Sequence, residues 1–234
     1  MMGRAISYFP ARRRGLMRWE SLKAPATAEL IRRHLPGGGA TALDVGCGSS
    51  AVAAELADDF ALVVGTDLAA TAVELSGRRR RADGRLDGHP TVLADAERLP
   101  FADASFDVVY SYGTLHHTRL AASLAEVSRV LADGGVAVLV DFCRESPGRR
   151  SVPRHIADAL TALPGYARRS DLRTAVSITL HRLGPTWLRH VRRDRFLSER
   201  EFTEQYERAL PGAVFYASRG RVVAVWKKVG NVHR

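Results

Sequence analysis

The stretch Ala42-Leu43-Asp44-Val45-Gly46-Cys47-Gly48-Ser49-Ser50 decides the fold class of this chain. The apolar run at residues 40–45 predicts a short buried strand. The glycines that follow it allow positive φ angles and a close approach of the backbone to a ligand. Ser49 or Ser50 can cap a helix that begins at Ala51. The order strand, glycine turn, helix predicts the first unit of a parallel α/β sheet.

Apolar strands and amphipathic helices continue to alternate beyond this stretch. Further strands are predicted at residues 61–67, 91–95, 106–112 and 136–142, and further helices at residues 68–77 and 119–131. The first of these two helices is predicted to end at Gly77, and the polar stretch 78–89 is predicted to be a loop. A helix at residues 19–35, which Pro25 can interrupt, precedes the first strand.

The C-terminal part predicts one more helix and a hairpin. Ser198-Glu199-Arg200-Glu201 matches a capping box, so a helix is predicted to run from there to Leu210. Arg219-Gly220 separates two strand-like runs that predict an antiparallel pair. The fold class is therefore α/β: a Rossmann-like, seven-stranded, mostly parallel sheet with a C-terminal antiparallel hairpin and helices on both faces.

The length of 234 residues predicts one domain, residues 1–234, with one substantial core. Two parts interrupt the alternation of strands and helices: the N-terminal segment 1–22 and the arginine-rich segment 143–197. Both are predicted to fold over the carboxyl ends of the strands as substrate-covering lids. The sequence has no apolar run long enough for a membrane span and no signal peptide, so a cytoplasmic location is predicted.

The net charge of +10 raises the question of nucleic-acid binding. However, almost all of the 35 basic residues are arginine, and alanine is abundant, which is the pattern of a GC-biased coding sequence. A general excess of arginine is therefore favoured over a nucleic-acid surface. The chain has two cysteines without a CxxC pair, and its histidines lack zinc-like spacing, so no metal site is predicted.

Acidic side chains follow the predicted strands at the edge where α/β sheets bind ligands. Asp67 lies about twenty residues after the glycine turn, where a carboxylate can accept hydrogen bonds from a ribose diol. Asp95 follows the third strand and can meet the exocyclic amine of an adenine. The run Tyr110–His117 follows the fourth strand, close to where a reactive group is expected. The alternatives are that Asp67 caps the next helix and that Asp95 is an ordinary loop residue.

Four motifs in register resemble those of class I S-adenosylmethionine (SAM)-dependent methyltransferases. They are ALDVGCGSS, VVGTDLA, VLADAERLPFADASFDVVYSYGTLHHT and VLADGGVAVLVDF, and together they span residues 40–142. The LPFADASFD segment is most similar to the subfamily of ubiquinone- and menaquinone-biosynthesis methyltransferases. The chain departs from the family at Ser49-Ser50, because a further glycine usually ends the glycine motif there.

The resemblance implies SAM as the cofactor, S-adenosylhomocysteine as the product, and a role for each matching residue. Asp44 would orient the glycine loop and help to hold the amino group of SAM. Gly46 and Gly48 would pass beneath its methionine portion. The remaining implied cofactor-binding residues are Cys47 in the glycine loop, Asp67 at the ribose, Leu68, Asp95 and Ala96 at the adenine, and Ser111 and Tyr112 near the sulfonium.

His116 and His117 are the candidate general bases, because imidazoles titrate near neutral pH and these two follow the fourth strand. Their alternative role is to line the cofactor pocket. Weaker candidates are Tyr8, Tyr112, Asp141 and Arg144. The arginines of 144–195 could recognise an anionic substrate, but a solvated surface is the favoured interpretation.

The predicted function is methyl transfer from SAM to an oxygen, carbon or nitrogen atom of a small molecule, such as a secondary metabolite or a quinone-like acceptor. Two alternatives remain open at this point. The first is a methyltransferase that modifies RNA or protein, which the charge supports. The second is a SAM-binding enzyme that does not transfer the methyl group, such as a cyclase on the same fold. The oligomeric state is not predicted.

Overall fold

The computed structural model describes residues 13–35, 40–144, 148–149, 151–218 and 220–230. The strands are β1 (Thr41–Val45), β2 (Leu62–Asp67), β3 (Thr91–Leu93), β4 (Phe106–Tyr112), β5 (Leu131–Phe142), β6 (Gly148–Arg149), β7 (Arg195–Phe196), β8 (Val214–Ser218) and β9 (Arg221–Lys227). The α-helices are α1 (Arg13–Arg32), α2 (Ala51–Leu56), α3 (Ala70–Ala82), α4 (Leu120–Val130), α5 (Val152–Thr161), α6 (Leu163–Arg169), α7 (Leu172–Arg182), α8 (Pro185–Arg193) and α9 (Glu199–Ala209).

Seven strands form the main sheet in the order β3-β2-β1-β4-β5-β9-β8. Strands β1 to β5 run parallel, and β9 runs antiparallel to both of its neighbours. The predicted fold class is therefore confirmed. The chain moves outward from β1 in one direction, through β2 and β3, and then returns to β4 on the other side. This reversal opens a crevice at the carboxyl ends of β1 and β4, which is where such sheets bind ligands.

The central strands are apolar because helices cover the sheet on both faces. Val108, Val109 and Tyr110 of β4 are fully buried, and they alternate between the two faces. On one face the core includes Val109 with Leu124 and Val127 of α4. On the other face Val108 and Tyr110 belong to a second core. A sheet packed in this way holds the strand ends, and hence the crevice, in fixed positions.

Several predicted boundaries were wrong. Helix α3 does not end at Gly77 but continues to Ala82. Glycine weakens a helix without ending it, and an exposed ion pair of 2.7 Å between Glu74 and Arg78 spans the turn that contains Gly77. Helix α1 is continuous through Pro25 and ends at Arg32 rather than at residue 35.

Two strands also differ from their predicted lengths. Strand β5 already begins at Leu131, because Leu131 pairs with Phe106 ahead of the irregularity in the ladder. Strand β3 ends at Leu93, before Asp95. The capping box at Ser198 and the hairpin of β8 and β9 are confirmed.

The segment 143–197 contains the short helices that its sequence predicts, α5 to α8, and these pack against α1. One cluster joins Tyr166 and Ile178 of these helices to Trp19 of α1, and a second joins Trp187 to the same tryptophan. Among the described residues, no helix has the length and apolar character needed to cross a membrane.

Candidate active site

A cavity of about 1160 Å³ opens at the carboxyl ends of the parallel strands. Its floor is the glycine loop after β1. Gly46 and Gly48 have φ angles of +78° and +55°, which L side chains rarely adopt. A Cβ atom at Gly46 would overlap the side chain of Thr114, so this position also has no room for a side chain. The backbone is therefore exposed to a ligand where the sequence predicts it.

Ser50 lies where the family's motif usually has a further glycine, and its backbone adopts a conformation that favours glycine. Its φ of +56° lies in the left-handed region. Its hydroxyl lies 2.6 Å from the hydroxyl of Ser76 on α3, and both groups are buried. Ser50 makes no side-chain cap bond to α2. The loop thus keeps the glycine-type turn, and the predicted capping role of Ser50 is wrong.

Asp67 ends β2 and fixes the glycine loop. Its carboxylate accepts hydrogen bonds from the backbone N–H of Gly48 at 3.0 Å and of Ala69 at 2.9 Å. Helix α3 begins at Ala70 with Ala69 at its N-cap position, so the alternative role of Asp67 as the N-cap is wrong. The carboxylate has lone pairs left for a diol. Next to it, the apolar side chain of Leu68 is 48% exposed in the cavity wall.

The other implied cofactor residues divide into two groups. Asp95, Ala96, Cys47 and Tyr112 line the cavity. Ser111 does not: it is buried, and its hydroxyl donates to the carbonyl of Val45 at 2.8 Å. Its role in the structure is to join β4 to β1 behind the cavity wall, so the prediction that it lines the site is wrong.

Three carboxyl groups line the cavity beside the glycine loop and form an acidic pocket: those of Glu20, Asp44 and Asp67. Burial is the main cause that raises the pKa of each. The pKa of Asp44 is raised to about 8, although the neighbouring Tyr110 hydroxyl lowers it in part. Glu20 was missed by the sequence analysis. It comes from α1 and accepts hydrogen bonds from the backbone and hydroxyl of Ser49.

His116 and Asp141 form a hydrogen-bonded pair beside the cavity. The ring Nδ1 of His116 lies 2.5 Å from Asp141 Oδ1, and its backbone N–H donates to Oδ2 at 2.9 Å. Phe142 N–H also donates to this carboxylate, at 2.8 Å. Burial lowers the pKa of His116, but the charge and hydrogen bond of Asp141 outweigh it, so the pKa is raised. With Nδ1 engaged, Nε2 is the nitrogen that can accept a proton.

His117 has the opposite electrostatic environment. Burial, followed by the proximity of His116 and His190, lowers its pKa to about 2. Such an imidazole is neutral near pH 7 and a weak base. Of the two histidines predicted from sequence, the geometry therefore favours His116 as the general base and leaves His117 as a neutral side chain in the wall.

His116, His117 and Asp194 each offer one donor atom, and these atoms lie within 4.8 Å of one another, as a metal site requires. The sequence predicts no metal. The Asp194 carboxylate already has histidine neighbours, with His117 Nδ1 at 3.6 Å and His190 Nε2 at 3.3 Å. These contacts neither require nor replace an ion, and the absence of a metal stays a prediction.

Another part of the cavity wall is built by residues that the sequence did not indicate as site residues. Aromatic and basic side chains share this wall: Trp19, Lys23, Tyr166, Arg182, Trp187 and Arg221. They come from α1, the helices of 143–197 and the start of β9. No local motif links them, because their proximity depends on packing between distant segments. Of the weaker candidates from sequence, Arg144 lines the cavity, and Tyr8 lies outside the described residues.

The methyltransferase domain family matches residues 43–139 of the chain. Demethylmenaquinone methyltransferase of Beutenbergia cavernae is 40% identical over 105 residues, which are 44% of this chain and 41% of that protein. The chain spans about a third to a half of the length of the curated relatives it matches.

Two solved structures show the same fold. The 1,6-didemethyltoxoflavin-N1-methyltransferase of Burkholderia thailandensis, with bound 1,6-didemethyltoxoflavin and S-adenosylhomocysteine, aligns with a TM-score of 0.56 and 17% identity. The alignment covers 90% of this chain and 79% of the chain of that structure. The [4+2]-cyclase SpnF aligns with a TM-score of 0.58 and 20% identity, over 88% and 82%.

Residues 43–139 therefore resemble a methyltransferase domain of the class I, SAM-dependent type. The predicted class is confirmed, with SAM as the cofactor of that class. The resemblance to the quinone-biosynthesis subfamily is also confirmed, since one of the relatives belongs to it.

Proposed function

We propose that this chain transfers a methyl group from SAM to a small molecule held in the cavity. One observation carries the proposal: a single cavity joins a buried acidic pocket over left-handed glycines to a histidine base paired with a carboxylate. The demethylmenaquinone relative supports a small acceptor of this kind.

The acidic pocket fits the cofactor by its charge. SAM carries an ammonium and a sulfonium group, and both are cations. Buried carboxyl groups with raised pKa values are stabilised by a cation, which favours their ionised form. Asp44 and Glu20 would face the ammonium, Asp67 would accept from the ribose hydroxyls, and Leu68 would pack against the adenine. When bound, SAM supplies an activated methyl group, so the protein mainly has to position the acceptor.

The residues around the acceptor then have separate tasks. His116 Nε2 accepts the proton of an acceptor hydroxyl or carbon acid, and Asp141 is a positioning residue that orients the ring and stabilises the imidazolium. The packed helices α5 to α8 and the aromatic wall exclude water from the reaction. The segments predicted as lids, 143–197 and the described part of 1–22, line the cavity in a way that supports this role.

Calorimetry with SAM and with S-adenosylhomocysteine tests the first half of the proposal. We expect both to bind, and a folded protein that binds neither contradicts the whole assignment. Formation of S-adenosylhomocysteine with phenolic, hydroquinone and carboxylic acceptors tests the second half. Cofactor binding without methyl transfer to any small acceptor, but with transfer to RNA or with cyclisation, would favour the alternative functions instead.

A further inference from the structure

Three basic side chains converge on one part of the cavity wall, which adjoins the acidic pocket where Lys23 lies one helical turn after Glu20 on α1. Lys23 Nζ lies 3.7 Å from the centre of the Trp19 ring, and the guanidinium of Arg182 lies 5.9 Å from the same ring. Arg221 Nη1 lies 3.5 Å from the hydroxyl of Tyr112, and the ring of that tyrosine is 5.9 Å from Lys23. Aromatic rings therefore connect all three cations.

Neutral groups are the hydrogen-bond partners of Arg182 in this region. Arg182 is only 6% exposed, yet its guanidinium donates to the hydroxyl of Tyr166 at 2.8 Å and to the backbone carbonyl of Asp158 at 3.5 Å. Its Nε has no partner among the described residues. No ion pair with a described carboxylate includes Lys23, Arg182 or Arg221; the nearest acidic charge to Lys23, that of Glu20, is bound to Ser49.

Like charges held close together in a partly buried site raise the free energy of the protein unless an opposite charge is present. Of the three cations, Arg182 is buried, and Lys23 and Arg221 are half-buried. Here the three cations face a cavity that can admit such a charge from outside. Guanidinium groups match the oxygens of carboxylates and phosphates, and a lysine adds a point charge. The surrounding rings of Trp19, Tyr112 and Tyr166 provide a flat apolar surface beside the cations.

We propose that Lys23, Arg182 and Arg221 form a subsite for an anionic group, a carboxylate or a phosphate, on a flat aromatic or apolar acceptor. This inference rests on the proposed function, because it names the class of acceptor for the same cavity. It reverses the sequence-based preference for a solvated arginine surface at Arg182, which is buried against the aromatic wall.

The position in the sheet separates this subsite from the cofactor. Arg221 begins β9, which lies three strands away from β1 in the sheet order, or roughly 14 Å at the usual strand spacing. Its backbone pairs with Phe142 at the end of β5, beside the His116–Asp141 pair. An anion held here lies on the acceptor side of the base. The carboxylate of SAM is the competing occupant, mainly for Lys23, which lies nearer to the glycine loop.

The test measures binding of small anions to protein saturated with S-adenosylhomocysteine. The probes are benzoate, phenyl phosphate and the neutral benzamide, and the readout is tryptophan fluorescence, since Trp19 touches the subsite. We expect one or both anions to bind and benzamide to bind at least roughly tenfold more weakly, because a charge-assisted contact is lost. The stronger of the two anions identifies the acceptor's acidic group.

Variants locate the binding site. Arg182→Gln and Arg221→Gln should each weaken the preferred anion by roughly tenfold or more while leaving S-adenosylhomocysteine affinity unchanged. Arg173→Gln is the matched control, because Arg173 is an exposed arginine on the same helix as Arg182. Arg221→Gln keeps the test valid if loss of the buried Arg182 prevents folding.

Three outcomes overturn the subsite. Benzamide can bind as tightly as the anions, neither anion can bind at all, or both arginine variants can weaken S-adenosylhomocysteine as much as the anions. The last outcome would assign the cations to the cofactor's carboxylate. Failure of the wild-type protein to bind S-adenosylhomocysteine is a different result: it contradicts the proposed function, and anion binding to the free protein still reports on the subsite.

Discussion

The two ends of the cavity differ in charge and in origin. The proposed cofactor end is the part of the wall with the carboxyl groups of Glu20, Asp44 and Asp67, and the proposed acceptor end is the part with Lys23, Arg182 and Arg221. The two parts adjoin on α1, which carries both Glu20 and Lys23. Two of the three acids lie on the first two strands of the α/β unit. Two of the three cations come from the helical insertion and from the last strand. The residues of the first end can therefore be predicted from sequence motifs, whereas those of the second end are brought together only by tertiary packing.

Different interactions also hold the two ends in place. Hydrogen bonds of the parallel ladder fix the cofactor end, where the N–H groups of Gly46 and Cys47 both donate to the carbonyl of Thr66. Side-chain packing of α5 to α8 against Trp19 fixes the acceptor end. Such packing tolerates substitution as long as volume is kept, so acceptor sites can diverge on a constant cofactor fold.

The largest expected effect lies at the boundary between the two ends. His116→Ala should reduce methyl transfer by roughly a hundredfold or more, because a positioned base is lost. S-adenosylhomocysteine affinity should stay close to that of the wild type. His117→Ala serves as the matched comparison and should reduce turnover much less, since its imidazole is already a weak base. Equal losses in both variants would contradict the assignment of the base.

The pH dependence of the methyl-transfer rate is a second test of His116 as the base. The base works in its deprotonated form, so the rate should rise with pH through the raised pKa of His116. Asp141→Asn removes the negative charge that raises this pKa, so the rise should move to lower pH while the maximal rate falls. Titration of the His116 ring by NMR measures the shift independently of turnover. An unchanged pKa in Asp141→Asn would mean that Asp141 has only a structural role.

At the cofactor end, Asp67→Ala should weaken SAM and S-adenosylhomocysteine binding by at least roughly tenfold. The variant loses the charge-assisted contact to the ribose and the acceptor that holds the Gly48 N–H. Calorimetry measures the effect, with Asp87→Ala as the control because that aspartate is exposed. Wild-type affinity in Asp67→Ala would leave the ribose assignment without support.

Gly46→Ala tests whether the glycine loop is crowded as well as strained. Gly88 has a similar φ of +83°, but a Cβ atom added there would meet no other atom within 4 Å. Gly88→Ala should therefore cost only about 1–2 kcal/mol of unfolding free energy. Gly46→Ala should cost about 1–3 kcal/mol more, because Thr114 must move. Denaturant unfolding compares the two variants, and equal losses would show that the Thr114 contact adjusts freely.

The smallest expected effect is the pH dependence of the anion subsite. Burial is the main cause that lowers the pKa of Lys23 to about 8; the charge of Glu20 on the same helix opposes it, and the charges of Arg182 and Arg221 contribute to it. Lys23 is therefore charged below about pH 8 and neutral above it. Benzoate affinity should fall by roughly a few-fold between about pH 7 and about pH 9.5. Lys23→Met should abolish this slope, and a slope that persists would remove Lys23 from the subsite.

The errors of sequence-based prediction follow the same division. The strands, the glycine turn and Asp67 were predictable, because a buried strand followed by glycines has few other structures available. Gly77 was wrongly predicted to end a helix, since a glycine only weakens a helix and the Glu74–Arg78 pair spans it. Ser111 was placed in the site by analogy, but its hydroxyl bonds to Val45 across the ladder.

The sequence alone determined the class of this protein: periodicity and spacing fix strands, turns and the acids at strand ends, and these are local properties of the chain. Only the tertiary structure decided which histidine can act as a base, where Glu20 lies and how three distant cations meet. Those outcomes depend on burial and on contacts between segments far apart in sequence, and both exist only after the helices have packed onto the sheet.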